Sequence, residues 1–372
     1  MKFLYRILLI CIIFNIQLNA EVIKSGTPAG KKKDISSYQN KFKDDEILVK
    51  FKASSSKSSR NKINKRINAS VKNTFKKTQV SLIKIPSSMK IHEALKYYKN
   101  NQNVEYAEPN YIVQINSIFP DDPRFDELWG LHNTGQSGGV NDADIDAPEA
   151  WEQFKGDSTL IVAVIDTGID YTHEDLKGNL WINESETEDG IDNDGNGYID
   201  DIHGINAITD SGDPMDDYGH GTHVSGTIGA VGGNGIGVTG VNWNVKLMGL
   251  KWLGREGSGS ISDAIKCIEY ILDMKEKGVN IKISNNSWGL YSYSLSLYDA
   301  VKSLRDKGVI FVAAAGNSSL DNDEIPSYPC SYNLDNIISV AATDSNDTRA
   351  SFSNVGPTCV DIGAPGVGIA ST

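Results

Sequence analysis

The chain has 372 residues, 39% hydrophobic and 23% charged, with a net charge of -12, which allows one large core plus a smaller module. The charge is unevenly placed: residues 21–117 carry 20 Lys+Arg against 8 Asp+Glu, a balance of +12, and residues 118–372 carry 14 against 40, a balance of -26. No nucleic-acid recognition motif accompanies the basic segment, which argues against a nucleic-acid binder and for a basic segment docking on its own acidic body.

Lys2 and Arg6 precede an apolar stretch, Ile7 to Phe14, and Ala20 offers a small residue for cleavage, so residues 1–20 read as a secretory signal peptide. A membrane anchor is the alternative, but the stretch falls short of the ~20 apolar residues a span needs. A Lys-rich polar linker is expected over 21–43. From Asp44 to about Gln114, strand patterns (Ile47 to Phe51, Val80 to Ile85, Val104 to Val113) combine with a helical one (Ile91, Leu95, Tyr98), predicting a small α+β domain over 44–117.

From about Pro120, apolar runs at Leu160 to Ile165, Val245 to Leu250, Val279 to Ile283, Val309 to Ala315 and Ile337 to Ala342 alternate with helical patterns, the clearest being Ile261, Ile265, Ile268 and Leu272. Continuous apolar strands with crossover helices predict an α/β domain over 118–372, a parallel sheet with helices on both faces and a site at the carboxyl ends of its strands. Asp166 and Asn317 each close such a run. Three cysteines remain once Cys11 leaves with the signal peptide: Cys267, in a helical pattern, reads as a buried thiol, and spacing does not reveal whether Cys330 and Cys359 pair.

Between these runs lie the segments that bear chemistry. Asp189 to Asp201 (D-G-I-D-N-D-G-N-G-Y-I-D-D) sets Asp192, Asp194 and Asn196 at alternating positions, followed by Asp200, the oxygen-rich spacing a Ca2+ loop uses. His203 stands where an EF-hand has Glu, so the loop is not a complete EF-hand, and a solvated acidic turn is the bland alternative. Ile161 to Asp170 (I-V-A-V-I-D-T-G-I-D) and Gly219 to Thr227 (G-H-G-T-H-V-S-G-T) supply an aspartate and a Gly-flanked histidine. A serine nucleophile needs a base to take its proton and a carboxylate to fix the base's tautomer. The spacing of His220 and His223 does not match the i, i+4 zinc motif with its intervening Glu.

These two segments resemble the Asp and His segments of the subtilisin-like serine proteases, with the chain order Asp, His, Ser, and the resemblance runs from about residue 120 to the end. It is strongest to secreted, calcium-stabilised bacterial members, and implies a secreted endopeptidase acting on protein or peptide substrates, with a monomer expected and no membrane contact after signal removal. Asp166 is then the orienting carboxylate and His220 the base, with His223 structural. Asn317, after A-A-A-G, matches the oxyanion donor, although it also heads an N-S-S glycosylation sequon.

Gly257, Ser258 and Gly259, and Ser287, Trp288 and Gly289, resemble the two edges that hold substrate by strand addition. Trp288 departs from the small aliphatic residue often found there. Asp122, Asp175 and the loop 231–238, through Val231, Asn234, Ile236 and Val238, match the family's strong Ca2+ site. The 44–117 domain, placed between signal and body, resembles the family's ferredoxin-like inhibitory propeptide, so the chain's own propeptide is an expected partner.

The family's nucleophile sits in a G-T-S-M-A-type turn, which residues 1–372 do not contain. The chain is therefore expected to be a fragment, inactive as given. Two rivals stand beside this reading: a truncated pseudoprotease acting as a calcium- or partner-binding module, and an aspartic protease using Asp166-Thr167-Gly168 with Asp210-Ser211-Gly212, which the α/β surroundings disfavour.

Overall fold

The computed structural model describes residues 42–112 and 118–372; the expected signal peptide, most of the linker and residues 113–117 lie outside the described residues. The chain divides into two compact units, 1–114 and 115–372. The first runs β1 (Phe42–Phe51), α1 (Lys57–Arg66), β2 (Ser70–Thr74), β3 (Val80–Lys84), α2 (Ile91–Lys99) and β4 (Val104–Tyr111). Its antiparallel sheet has the order β2-β3-β1-β4, which with the βαββαβ chain order is the ferredoxin-like arrangement. Alternation puts Ile47, Val49 and Phe51 on one buried face of β1, packed with Ile83, Ala94 and Tyr98.

The sequence pattern misses α1 and β2. In α1 the buried residues are Ile63 and Asn64, and β2 is exposed throughout, so neither shows an apolar period. Local chemistry forms α1 instead: Ser56 caps it, accepting from Ser59 N, and Lys65 and Arg66 occupy the last turn.

The second unit contains β5 (Gly156–Asp166), β6 (Gly204–Asn206), α3 (His220–Gly229), β7 (Asn244–Lys251), α4 (Ile261–Glu276), β8 (Ile281–Asn286), α5 (Leu295–Asp306), β9 (Ile310–Ala314), β10 (Ile337–Thr343) and β11 (Ile362–Pro365). All seven strands pair in parallel, in the order β11-β10-β9-β8-β5-β7-β6. Because side chains alternate along a strand, β5 feeds two separate cores. Ile161, Ala163 and Ile165 pack with α4 and α5, whereas Val162 and Val164 pack on the other side with Leu247, Val224 and Ile228, the last two from α3. The expected α/β layering, helices on both faces of a parallel sheet, is thus the observed one.

One detail differs from the periodicity. Gly278 (φ 94) turns the chain out of α4, and Val279 N still bonds Met274 O, so β8 begins at Ile281 rather than at Val279. Of the expected Ile261, Ile265, Ile268 and Leu272 line, Ile268 is fully buried and the other three are partly buried against the same core, and the buried stripe of α4 also takes in Ala264, Cys267, Tyr270, Ile271 and Met274. No helix among the described residues is long and apolar enough to cross a membrane.

Candidate active site

Asp166 is the last residue of β5 and is fully buried. Its Oδ1 accepts from Thr167 N at 2.7 Å and meets His220 Nδ1 at 2.7 Å. His220 opens α3, and Gly219 before it adopts φ 101. The strand-end carboxylate and the helix-start imidazole meet because two glycines let α3 approach the D-T-G turn. A Cβ on Gly221 would lie 2.1 Å from Gly168 O, and one on Gly168 would lie 2.4 Å from Pro214 O.

Around this pair the backbone is held by side chains. Thr167 Oγ1 accepts from Gly221 N, and Asp216 accepts from Tyr218 N, Gly219 N, Thr222 N and Thr222 Oγ1. Burial pushes the Asp216 carboxyl up, but those hydrogen bonds outweigh it and hold the group below its ordinary value. Lys251, buried at the end of β7, donates to Thr167 O, Leu253 O and Asp217 Oδ1. The hydrogen bond to Asp166 raises the His220 pKa, and partial burial opposes it. Such a pair can hold an imidazole in one tautomer and stabilise its cation.

His220 borders a cleft of about 440 Å³, whose walls include Gly257, Ser258 and Gly259 on one side and Ser287, Trp288 and Gly289 on the other. Both expected edges therefore face the same cleft. The Trp288 ring lies against Trp252, with centroids 4.7 Å apart, and its Nε1 donates to Ile165 O. Asn317 lies three residues beyond β9, exposed, lining a neighbouring groove that also includes Ser287 and Gly316. His223 is turned elsewhere, its Nε2 meeting Ile369 O at 3.1 Å. Asp210 pairs with Lys266 rather than with Asp166, so no carboxylate dyad forms. Cys267, Cys330 and Cys359 are free thiols. Among the described residues no serine hydroxyl is hydrogen-bonded to the His220 ring.

The acidic segments gather in two places. Asp122 and Asp175 both reach the loop 231–238: Asp122 Oδ2 accepts from Gly233 N, Asp175 Oδ1 from Asn234 Nδ2, and Asp175 Oδ2 from Val238 N. Val231 N bonds Asp175 O, and Ile236 N bonds Asn234 Oδ1. Asp122 Oδ1 is buried without a partner among the described residues, and burial raises the Asp122 pKa, as does the nearby Asp175 charge.

In the 189–201 loop, Asp192 and Asp194 group with Glu186, which lies outside the motif. Asp200 (φ 53) instead accepts from Asp189 N and Gly190 N, and Asn196 accepts from Tyr198 N while donating to Asp201. Thr167, Asp216, Lys251 and Glu186 escape sequence reasoning. Two local signals mark any of them: the D-D-Y preceding G-H-G for Asp216, and the D-T-G run for Thr167.

Residues 157–372 match the subtilase family, peptidase S8, and residues 28–110 match the fervidolysin N-terminal prodomain. The thermophilic serine proteinase of Bacillus sp. (strain AK1) is 32% identical over 344 residues, 91% of this chain and 74% of that protein. Subtilisin-like protease 1 of Plasmodium berghei (strain Anka) is 36% identical over 251 residues, 67% of this chain and 39% of that protein. The cell wall-associated protease of Bacillus subtilis (strain 168) is 33% identical over 288 residues, 77% of this chain and 28% of that protein. Among solved structures, a cold adapted subtilisin-like serine proteinase overlays with a TM-score of 0.46 at 28% identity, covering 66% of this chain and 74% of that chain. The chain therefore spans well under half the length of several relatives it matches.

Proposed function

Because the chain belongs to the subtilase family of serine peptidases and carries a fervidolysin-type prodomain, we propose that it encodes a secreted endopeptidase in which Asp166 and His220 activate a serine lying outside residues 1–372. The observation that carries this reading is the 2.7 Å contact between Asp166 Oδ1 and His220 Nδ1 at the edge of a cleft with two Gly-bearing walls. In the first half-reaction His220 Nε2 takes the serine proton as Oγ bonds the scissile carbonyl carbon, and it then delivers that proton to the departing amine. Asp166 keeps the Nδ1 proton directed and offsets the imidazolium charge. Asn317 Nδ2 serves the oxyanion that develops. The 257–259 and 287–289 edges take the peptide backbone between them, and Trp288 narrows the space below.

In the same reading, residues 44–117 act as an intramolecular inhibitor, released by cleavage between Gln114 and Asp122. Calcium is the ion that the acidic loops suit. Asp122, Asp175 and Asn234, with carbonyls of Val231, Ile236 and Val238, would hold one ion, and the loop bearing Asp192 and Asp194 a second. The unpartnered, buried Asp122 Oδ1 supports the first, since an ionised oxygen without a donor is costly unless a cation meets it. Calcium supplies charge neutralisation to a domain of balance -26 and takes no part in proton transfer.

Peptide turnover tests the reading. The complete gene product should cleave a peptide substrate, residues 1–372 alone should not, and His220→Ala should abolish the cleavage. Turnover by residues 1–372 that survives His220→Ala would sink it.

A further inference from the structure

The segment between Asn183 and Ile202 is a loop closed at its base, where Asn183 N bonds Ile202 O. Glu186 enters it from outside the D-x-D-x-N run and is only 7% exposed. Its Oε1 accepts from Asp194 N at 2.8 Å, and its Oε2 is buried with no partner among the described residues. One oxygen from each of Glu186, Asp192 and Asp194 lies within 4.8 Å of the others.

The charge around this cluster is poorly balanced. Lys277 reaches Asp194 Oδ1 at 3.0 Å and is shared with Asp273. Among the described residues no ion pair reaches Glu186 or Asp192. Asp192 is held by amides alone, from Gly195, Asn196 and Gly197.

We propose that Glu186 is a direct ligand of a calcium ion shared with Asp192 and Asp194, an assignment that rests on the calcium reading of this loop. Three carboxylates with no imidazole or thiolate suit a hard cation. An oxygen spread within 4.8 Å fits one ion, since two ligands on opposite sides of Ca2+ at ~2.3–2.6 Å stand roughly 4.6–5.2 Å apart. Asp200, which lies outside that oxygen cluster and accepts from Asp189 N and Gly190 N, then acts by shaping the loop. Burial of Glu186 has a consequence for the fold: the ion ties the Asn183 end of the loop to its Asp194 turn.

The test is calorimetric titration of calcium into the chelator-stripped full chain, in a His220→Ala background that prevents autolysis. Glu186→Gln keeps the acceptor for Asp194 N and removes the charge. It is expected to lose one calcium equivalent, or to weaken it by on the order of tenfold or more, with the calcium-free melting temperature little changed. The assignment is overturned if Glu186→Gln binds every equivalent with unchanged affinity while Asp192→Asn with Asp194→Asn loses one; the calcium reading of the loop then survives. If the double variant also loses none, that reading falls with the assignment. Should Glu186→Gln not fold, Glu186→Asp is expected to weaken the same equivalent, and unchanged affinity there overturns the proposal.

Discussion

Replacing Asp166 by Asn changes one atom's chemistry at a fully buried position and separates orientation from mere packing. In the native site Oδ1 is shared between Thr167 N and His220 Nδ1, whereas Oδ2 has no partner among the described residues. An Asn can keep the Thr167 contact only by presenting its amide NH2 to the unoccupied side, or it can turn the NH2 toward His220 and force Nδ1 to accept. The second arrangement moves the ring proton to Nε2, the nitrogen that receives the serine proton in the proposed reaction.

Loss of the correct tautomer is worth about 10⁴-fold in kcat in such sites, or ~5.5 kcal/mol of transition-state stabilisation. The pH dependence gives a second reading. As the proposed base His220 has to be neutral, so kcat/KM should fall as pH drops through its pKa, which the Asp166 hydrogen bond raises from the ordinary value. Removing the anion should move that acid limb to lower pH. By the same linkage, the stability this pair contributes is present below the unfolded histidine pKa and is lost as pH rises through the raised folded value. The assay is kcat/KM against pH on a peptide substrate, with circular dichroism as a control for folding. A loss under about tenfold with an unmoved acid limb would rule out an orienting role for Asp166, since orientation should cost far more.

Gly221→Ala places a Cβ 2.1 Å from Gly168 O, and should lower stability by about 1–3 kcal/mol while disturbing the His220 contact; an unchanged melting temperature and full activity would contradict the packing account. Residues 44–114, made separately, should inhibit the complete protease with a potency that falls as salt rises, as expected for a +12 segment meeting a -26 body; salt-independent inhibition would remove the electrostatic argument. Chelation should lower the melting temperature, because bound calcium at a hundredfold excess over Kd adds about 3 kcal/mol. Cys267, fully buried with its thiol pushed far above the ordinary range, should resist alkylation at pH 8 in the native protein and react after unfolding; rapid native labelling would place it at the surface.

The parts legible in the sequence share one property: their signal is local. Asp166 and His220 each sit in a short segment whose glycines are needed for contact, and β5 and β7 are continuous apolar runs because both their faces are covered. Where the signal depends on tertiary placement it is lost. Glu186 reads as one acid among many until burial and an unpaired oxygen distinguish it. Lys251 reads as the polar end of a strand, yet it is buried and spans three acceptors. Asp200 keeps the ligand spacing, but its positive φ carries its carboxylate to the amides of Asp189 and Gly190. A linear count of oxygens does not register that rotation. In the N-terminal unit, α1 is polar on nearly every side, so capping rather than periodicity defines it.

Whether Asp166 and His220 serve a serine nucleophile is read by fluorophosphonate labelling of the complete protein. Labelling should be fast, fall by orders of magnitude with His220→Ala, and be blocked when residues 44–114 are added before the probe. A protein that ignores the fluorophosphonate, yet cleaves peptides and is inhibited by pepstatin, would contradict the account.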